Sequence, residues 1–311
     1  MPFFAARPGL AGILGAFCIA FSAIFVRLAG VSPSTAAVYR CAYAVPVLWL
    51  LARRERSRFG PRSWADRRPA LIAGIFFAAD LIFWHRAIQA VGAGLATVLG
   101  NTQVLFVALA AWVFLREKPN ATAFASIPMV LAGIVAISGV LGRGAYGENP
   151  LMGVVYGLLT GISYTGFLLV LRHGNEDVRR PAEPLLDATL VGAIVSAAAG
   201  LALGELDFVP AWPAHGWLLA LALTSQVVGW LLISVSLPRL PAVMTSLILT
   251  LQPVGSVIFG IVLLSEDPSG AQLAGVLVIL AGLVIARLGR PDEAVSEGVA
   301  EDSALDTAEA R

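Results

Sequence analysis

Two stretches of the chain repeat one another at a constant offset of 149 positions. Residues 95–137 and residues 244–286 match identically at ten positions without a gap, and Gln103/Gln252 and Glu117/Glu266 are among them. Each copy reads as an apolar segment, a turn with an acidic residue and a proline, and a second apolar segment. A repeat of this length constrains the fold, because both copies are expected to form the same unit. In a membrane protein, such a twofold repeat often marks a transporter.

Long apolar runs indicate that the chain lies in a membrane. Apolar residues make up 58% of the sequence and charged residues 13%, whereas soluble globular domains have about 45–50% and about 25%. Most of the apolar runs are roughly 20 residues long, enough for a helix to cross a hydrocarbon core of about 30 Å. The sequence therefore predicts an all-α integral membrane protein with ten transmembrane helices. The predicted spans are 9–29, 34–52, 69–90, 93–114, 122–141, 150–171, 184–204, 215–236, 241–264 and 270–288.

The basic residues predict how these spans cross the membrane. With the N-terminus in the cytoplasm, 17 Lys and Arg residues fall on the cytoplasmic side and two on the outer side. Seven of the 17 lie in residues 53–69, which we expect to be the longest loop between spans. Since cytoplasmic loops carry the excess of basic residues, both termini are predicted to be cytoplasmic. The 20 Arg against one Lys, with much Ala, Gly and Val, are typical of a GC-rich bacterial gene, so we expect a bacterial inner membrane.

The repeat and the span count together predict the domain organisation. Each half holds five spans, and an odd number places the second half upside down relative to the first. We predict two inverted five-helix repeats, residues 9–141 and 150–288. Residues 289–311 form an acidic tail without apolar periodicity, which we predict to be disordered and cytoplasmic.

At the acidic, proline-containing turns of the two repeats, the sequence resembles a known family. Val113–Pro119 with Leu131–Gly133, and Leu263–Pro268 with Leu280–Gly282, resemble the end of each half in the EamA-type transporters of the drug/metabolite transporter superfamily. Gln252-Pro253-Val254 is similar to the proline-containing fourth helix of a half, whereas Gln103-Val104 lacks the proline. The resemblance implies secondary transport of small organic metabolites, often export, with substrates that vary among members.

Ionisable side chains inside a membrane span are costly and are therefore candidates for function. Asp80 lies near the middle of its span, and Trp84 follows at i+4 on the same helical face. The second half has Gln226 and Trp230 at the same spacing. Polar groups beside indole rings would suit an amphipathic organic substrate, because the ring stacks and the polar group orients. Asp80 is also the candidate for proton coupling; the alternative is that it only supports packing.

The repeated helices add a second polar line. Asn101 and Gln103 lie in the first copy, and Thr250 and Gln252 lie in the second. Asn101 and Thr250 occupy equivalent positions, and so do Gln103 and Gln252. These four side chains are predicted either to line the substrate path or to hold helices together, since hydrogen bonds between membrane helices contribute roughly 0.6–2 kcal/mol each.

Four more charged residues have structural alternatives. Arg27 and Arg40 lie toward the outer ends of their spans, where arginine often extends its charge to the headgroups. The alternative for them is an anion site or a partner for Asp80. Glu117 and Glu266 follow helix ends next to prolines, and we expect them to serve as turn and cap elements.

The sequence favours a transporter over other classes. We find no H-E-x-x-H, G-x-S-x-G or C-x-x-C pattern, and the three histidines are scattered. No catalytic residue, metal site or cofactor is therefore predicted, and an intramembrane enzyme is disfavoured. We expect a secondary transporter that exports a small metabolite, such as an amino acid or an aromatic compound, by alternating access around a central polar and aromatic cavity. Its expected partners are this substrate and the lipid bilayer, not nucleic acid; a homodimer is left open. The remaining alternative is a scaffold or a flippase-like lipid-handling protein.

Overall fold

The computed structural model describes residues 7–115, 121–140, 144–173, 177, 179–236, 239–240 and 242–288. Within these residues the secondary structure is helical throughout. The helices are α1 (Pro8–Ala20), α2 (Ser22–Ala29), α3 (Pro33–Phe59), α4 (Trp64–Val91), α5 (Ala93–Gly100), α6 (Gln103–Leu115), α7 (Ala121–Ile137), α8 (Pro150–His173), α9 (Ala182–Leu203), α10 (Ala214–Leu221), α11 (Trp230–Ser236), α12 (Ala242–Leu264) and α13 (Gly270–Leu288). A π-helical segment, Ala222–Gly229, joins α10 to α11.

Seven described helical stretches are long and apolar enough to cross a membrane, namely Pro8–Ala29, Pro33–Phe59, Trp64–Val91, Ala93–Ala110, Pro150–Leu171, Ala182–Leu203 and Ala214–Ser236. Three shorter apolar helices complete the set: Phe124–Ile137, Ile248–Leu264 and Gly270–Ala286. Large apolar side chains such as Ile194 and Leu277 are exposed on the outside, as lipid contact requires. The described residues thus confirm a multi-pass helical membrane protein, and the count of ten spans stays a prediction.

The prediction that residues 53–69 form an arginine-rich loop is wrong. Helix α3 continues to Phe59, and α4 already begins at Trp64. Arginine is a good helix former, so its charge did not signal a helix end. The helix ends are set instead by Gly60 after α3 and by Ser63 before α4. The Ser63 side chain accepts from the Asp66 amide, and the Asp66 side chain accepts from the Ser63 amide.

Glutamate side chains join α3 and α9 at both ends. At the end of α3, the Glu55 carboxylate accepts from the amides of Ala182 and Glu183 at 3.1 Å, where α9 begins. After the end of α9, the Glu205 carboxylate accepts from the Ser34 hydroxyl at 2.8 Å, where α3 begins. Since the end of each helix meets the beginning of the other, α3 and α9 run antiparallel.

Helices at equivalent places in the two halves make equivalent contacts. Helix α4 packs along α8, and the stretch from α10 to α11 packs in the same way along α1 and α2. Helix α7 packs along α13, its counterpart in the other half, as α3 packs along α9. This arrangement fits a layout of two repeats and brings α3, α4, α9 and the π-helical segment together in the interior.

Candidate functional site

Arg40 forms the centre of a polar cluster inside the helix bundle. Its position on α3 is about 10 Å from the first residue of that helix, and its side chain is only 4% exposed. The Arg40 Nε–H donates to Gln226 Oε1 at 3.0 Å, and Nη1–H donates to the Ser22 hydroxyl at 3.4 Å. Extension of the Arg40 charge to the headgroups, one of its two predicted alternatives, is therefore wrong, because this charge is held inside the bundle.

Asp80 and Trp84 both lie beside Arg40, as their shared helical face predicts. The Arg40 guanidinium carbon is 5.7 Å from the centroid of the Trp84 ring, a distance suited to a cation–π contact. Asp80 is 9% exposed and interacts with Arg40 electrostatically. Among the described residues, however, the Asp80 carboxylate has no cationic nitrogen within the 4.0 Å of a direct salt bridge. The Asp80 carboxyl and the Arg40 guanidinium are thus close but not joined.

Gln226 fixes the orientation of the Arg40 side chain. It is fully buried in the π-helical segment, a type of helix that is frequent at functional sites. Its carbonyl oxygen accepts from Arg40, and its Nε2–H donates to the Thr189 hydroxyl on α9 at 3.1 Å. Because both ends of the amide are used, Gln226 links α3 to α9.

Trp230 makes different contacts from Gln226, its predicted partner. Its ring makes edge contacts with Tyr164 and Phe167, with centroid distances of 6.1 Å and 5.5 Å. Phe167 in turn lies 4.9 Å from the ring of Phe77 on α4. Tyr164 also interacts electrostatically with Arg40. Trp230 therefore belongs to an aromatic cluster that borders the polar centre.

The second polar line has local contacts. Asn101 follows α5, and its Nδ2–H donates to the carbonyl of Thr97 one turn earlier at 2.9 Å. The main-chain carbonyl of Gln103 accepts from the Thr165 hydroxyl on α8 at 3.2 Å. Thr250 and Gln252 are partly exposed on α12, which packs against α5 and α1. The Asn101 side chain thus bonds within its own span, and Gln103 contributes its main chain to the contact with α8. Both alternatives for the four side chains, substrate lining and helix joining, stay predictions.

Glu266 caps a helix, as predicted. Its Oε1 accepts from the Ala93 amide at 2.5 Å, and its Oε2 accepts from the Gly94 amide at 3.1 Å, at the beginning of α5. Burial raises the pKa of this carboxyl, while the two amides and the charge of Arg27 oppose that rise. Its counterpart Glu117 lies outside the described residues, and so does the predicted tail 289–311.

Two pockets lie at opposite ends of the bundle. One, of about 220 Å³, is lined by Arg27, Gln89, Gly92, Tyr146, Gly147 and Glu148. The other, of about 280 Å³, is lined by Trp49, Ala52, Arg53, Arg56 and Leu186. Neither pocket includes Asp80 or Arg40. The predicted central cavity therefore corresponds to neither of these two pockets, and it stays a prediction.

Sequence reasoning left three residues of the polar cluster out of the predicted site. Arg40 gave a signal as a charge inside a span, but nothing in its local sequence separates a buried arginine from one that reaches the headgroups. Ser22 and Thr189 gave none, because serine and threonine are common in membrane helices. The pair Asp80 and Trp84 was found because the i,i+4 spacing alone brings the two side chains to one face.

The bundle defines a multi-pass helical membrane protein with a buried charged cluster between its helices. Comparison with protein families places it: residues 7–139 and residues 151–288 each match the model of the EamA-like transporter family. Because the two matches cover most of the 311 residues, the chain belongs to this family, whose members are membrane transporters. The resemblance seen in the sequence is confirmed.

No curated protein matches the chain. Among solved structures, a crystal structure of a protein with 18% sequence identity covers 91% of this chain and 97% of its own, with a TM-score of 0.60. At this identity the likeness supports the fold alone.

Proposed function

We propose that the protein is a secondary transporter that exports a small organic metabolite across the bacterial inner membrane by alternating access. The observation that carries this proposal is the cluster of Arg40, Asp80, Gln226 and Trp84 inside the bundle. Charges this deep are costly in a membrane protein and usually mark a substrate or ion pathway. A scaffold that never handles a polar solute could join its helices with uncharged polar groups, which are less costly in a membrane.

The proposal includes ten helices in two inverted halves. Support comes from the antiparallel course of α3 and α9, which occupy equivalent places in the two repeats. It also comes from the 17 basic residues on one side against two on the other, which favour a cytoplasmic position for both termini. A reporter fused after Gly289 tests the orientation: we expect cytoplasmic activity, and periplasmic activity would overturn the topology.

The proposed substrate-lining residues are the eight polar and aromatic residues that the sequence predicts. Asp80, Trp84 and Gln226 form the centre, and Trp230 borders it through its aromatic cluster. Asn101, Gln103, Thr250 and Gln252 would line the path between the halves. Asp80 is the proposed coupling residue, because it is close to Arg40 without being joined to it and is therefore free to exchange a proton.

A metabolite screen tests the function. We compare the intracellular and extracellular metabolites of a knockout strain with those of an overexpressing strain, and then load the responding compound into vesicles that contain the purified protein. The expected result is intracellular accumulation in the knockout and movement of the compound through the vesicle membrane. If the vesicles move no metabolite but exchange labelled lipids between leaflets, the protein is a lipid-handling protein. If they move neither, a scaffold role is favoured.

A further inference from the structure

The Arg40 guanidinium keeps most of its donor groups unused. A guanidinium carries five N–H donors in a planar fork. One, on Nε, is bound by Gln226 at 3.0 Å, and one, on Nη1, reaches Ser22 at the long distance of 3.4 Å. Within the described residues the other three have no acceptor, although the side chain is 4% exposed. A buried cation is costly unless further hydrogen bonds satisfy it, so these donors are suited to an acceptor that comes from outside.

The surrounding groups fix the direction and the charge of that acceptor. Gln226 holds the Nε side of the fork, and Gln226 is itself held by Thr189. The open side is therefore the edge formed by Nη1 and Nη2, which matches the two oxygens of a carboxylate. When it is deprotonated, Asp80 adds a negative charge nearby, which opposes a doubly charged phosphate more than a group with a single negative charge. Trp84 lies against the guanidinium and offers a flat apolar surface next to it.

We propose that the Nη edge of Arg40 binds the carboxylate of the transported metabolite, and that the cargo is a small monocarboxylate whose apolar or aromatic part packs on Trp84. This inference rests on the proposed transport function and names the substrate class of the same site. Gln226, proposed above as a lining residue, would act on the carboxylate through Arg40, because both ends of its amide are already bound; for this contact it is a positioning residue. A cargo that also carries an ammonium group would place that group toward Asp80.

Binding of matched acids and amides tests this assignment. The full-length protein in lipid nanodiscs is titrated with phenylpropionate, phenylalanine and indoleacetate, and with the neutral amide of each. We expect at least one acid to bind about tenfold or more tightly than its own amide, the factor of a charge-assisted hydrogen bond. Tighter binding of phenylalanine than of phenylpropionate indicates a zwitterionic cargo that is held by Asp80 as well. Tighter binding of phenylpropionate indicates a simple acid as cargo. Both results support Arg40 as the carboxylate site.

Three substitutions attribute the effect to Arg40. Arg40→Gln should abolish the preference for the acid, and Arg40→Lys should restore only part of it, because lysine keeps the charge but not the fork. Arg53→Gln is the matched control, since Arg53 also lies over a tryptophan ring, Trp49 at 5.5 Å, but is exposed. It should leave binding unchanged. If Arg40→Gln does not fold, Gln226→Leu replaces it and should weaken binding of the acid but not of the amide.

Three results would overturn the inference: acids and amides bind equally, neither set binds, or the preference for the acid persists in Arg40→Gln. The metabolite screen keeps this failure apart from failure of the proposed function. A neutral or cationic compound that accumulates in the knockout and crosses the vesicle membrane would leave transport standing while the carboxylate site is refuted.

Discussion

The Gly92→Ala substitution measures how much the Glu266 cap contributes to the fold. Gly92 lies between α4 and α5 with φ of 90°. A Cβ atom there would come within 2.8 Å of Glu266 Oε1 and 2.7 Å of Tyr146 Cε1, closer than side chains tolerate. The carboxylate would have to move away from the amides of Ala93 and Gly94 that it binds.

Gly144 supplies a matched control. Its φ of 88° is nearly the same, but a Cβ at this position has no heavy atom within 4 Å. Both alanine variants therefore carry the strain of a positive φ, about 1–3 kcal/mol. Only Gly92→Ala also meets the overlap, about 1–3 kcal/mol, and the loss of a charge-assisted hydrogen bond, about 1.5–3 kcal/mol. We expect the free energy of unfolding to fall by about 2.5–6 kcal/mol more for Gly92→Ala than for Gly144→Ala.

The assay is unfolding by SDS in mixed micelles, followed by circular dichroism, for the parent and both variants. A double-mutant cycle with Glu266→Ala identifies the cause: if Gly92→Ala acts by displacing Glu266, its excess cost shrinks once that carboxylate is absent. Equal losses for Gly92→Ala and Gly144→Ala would refute the reasoning, since backbone strain alone would then account for both.

Three further substitutions have definite expected results. Asp80→Asn should leave the protein folded in the membrane but stop a pH gradient from driving accumulation of the cargo in vesicles; accumulation equal to that of the parent would show that Asp80 is not the coupling residue. Glu55→Ala should lower the free energy of unfolding by about 1–2 kcal/mol, as the loss of a helix N-cap does, while the neighbouring exposed Ser57→Ala should stay within about 0.5 kcal/mol; similar values for the two would contradict the capping role of Glu55. Because burial raises the pKa of Glu266, the folded protein holds this proton more tightly than the unfolded chain, so stability falls as the pH rises from 4.5, the ordinary value, through the folded pKa. The stability of the parent relative to Glu266→Gln should therefore decrease as the pH rises through this window, and a constant difference would show that Glu266 does not titrate there.

Much of the fold could be predicted because the membrane restricts the choices. A run of apolar residues in lipid must form a helix to satisfy its backbone, so the helices follow from composition and length. The ends of α3 and α4 could not be predicted in the same way. Arginine signals the membrane boundary but does not end a helix, and the stop at Gly60 and the start at Ser63 depend on local backbone chemistry.

The site was partly predictable, and the limit lies in contacts between distant positions. Asp80 and Trp84 are four residues apart, so a helical period is enough to place them on one face. The acceptor for Arg40 is Gln226, which is 186 positions away. No pattern in either span predicts that pair, because it depends on how α3 packs against the π-helical segment.

The contacts of α3 and α9 connect the site to the ends of the bundle. Gln226 binds Arg40 on α3 and Thr189 on α9 with the two ends of one amide. The same two helices are joined by Glu55 at one end and through Glu205 at the other. A displacement of α9 along α3 cannot keep all of these contacts, and the fully buried Gln226 side chain would have to choose between its two partners. A change that opens one end of the bundle would therefore also change how Arg40 is held, as the proposed alternating access would require of the proposed carboxylate site.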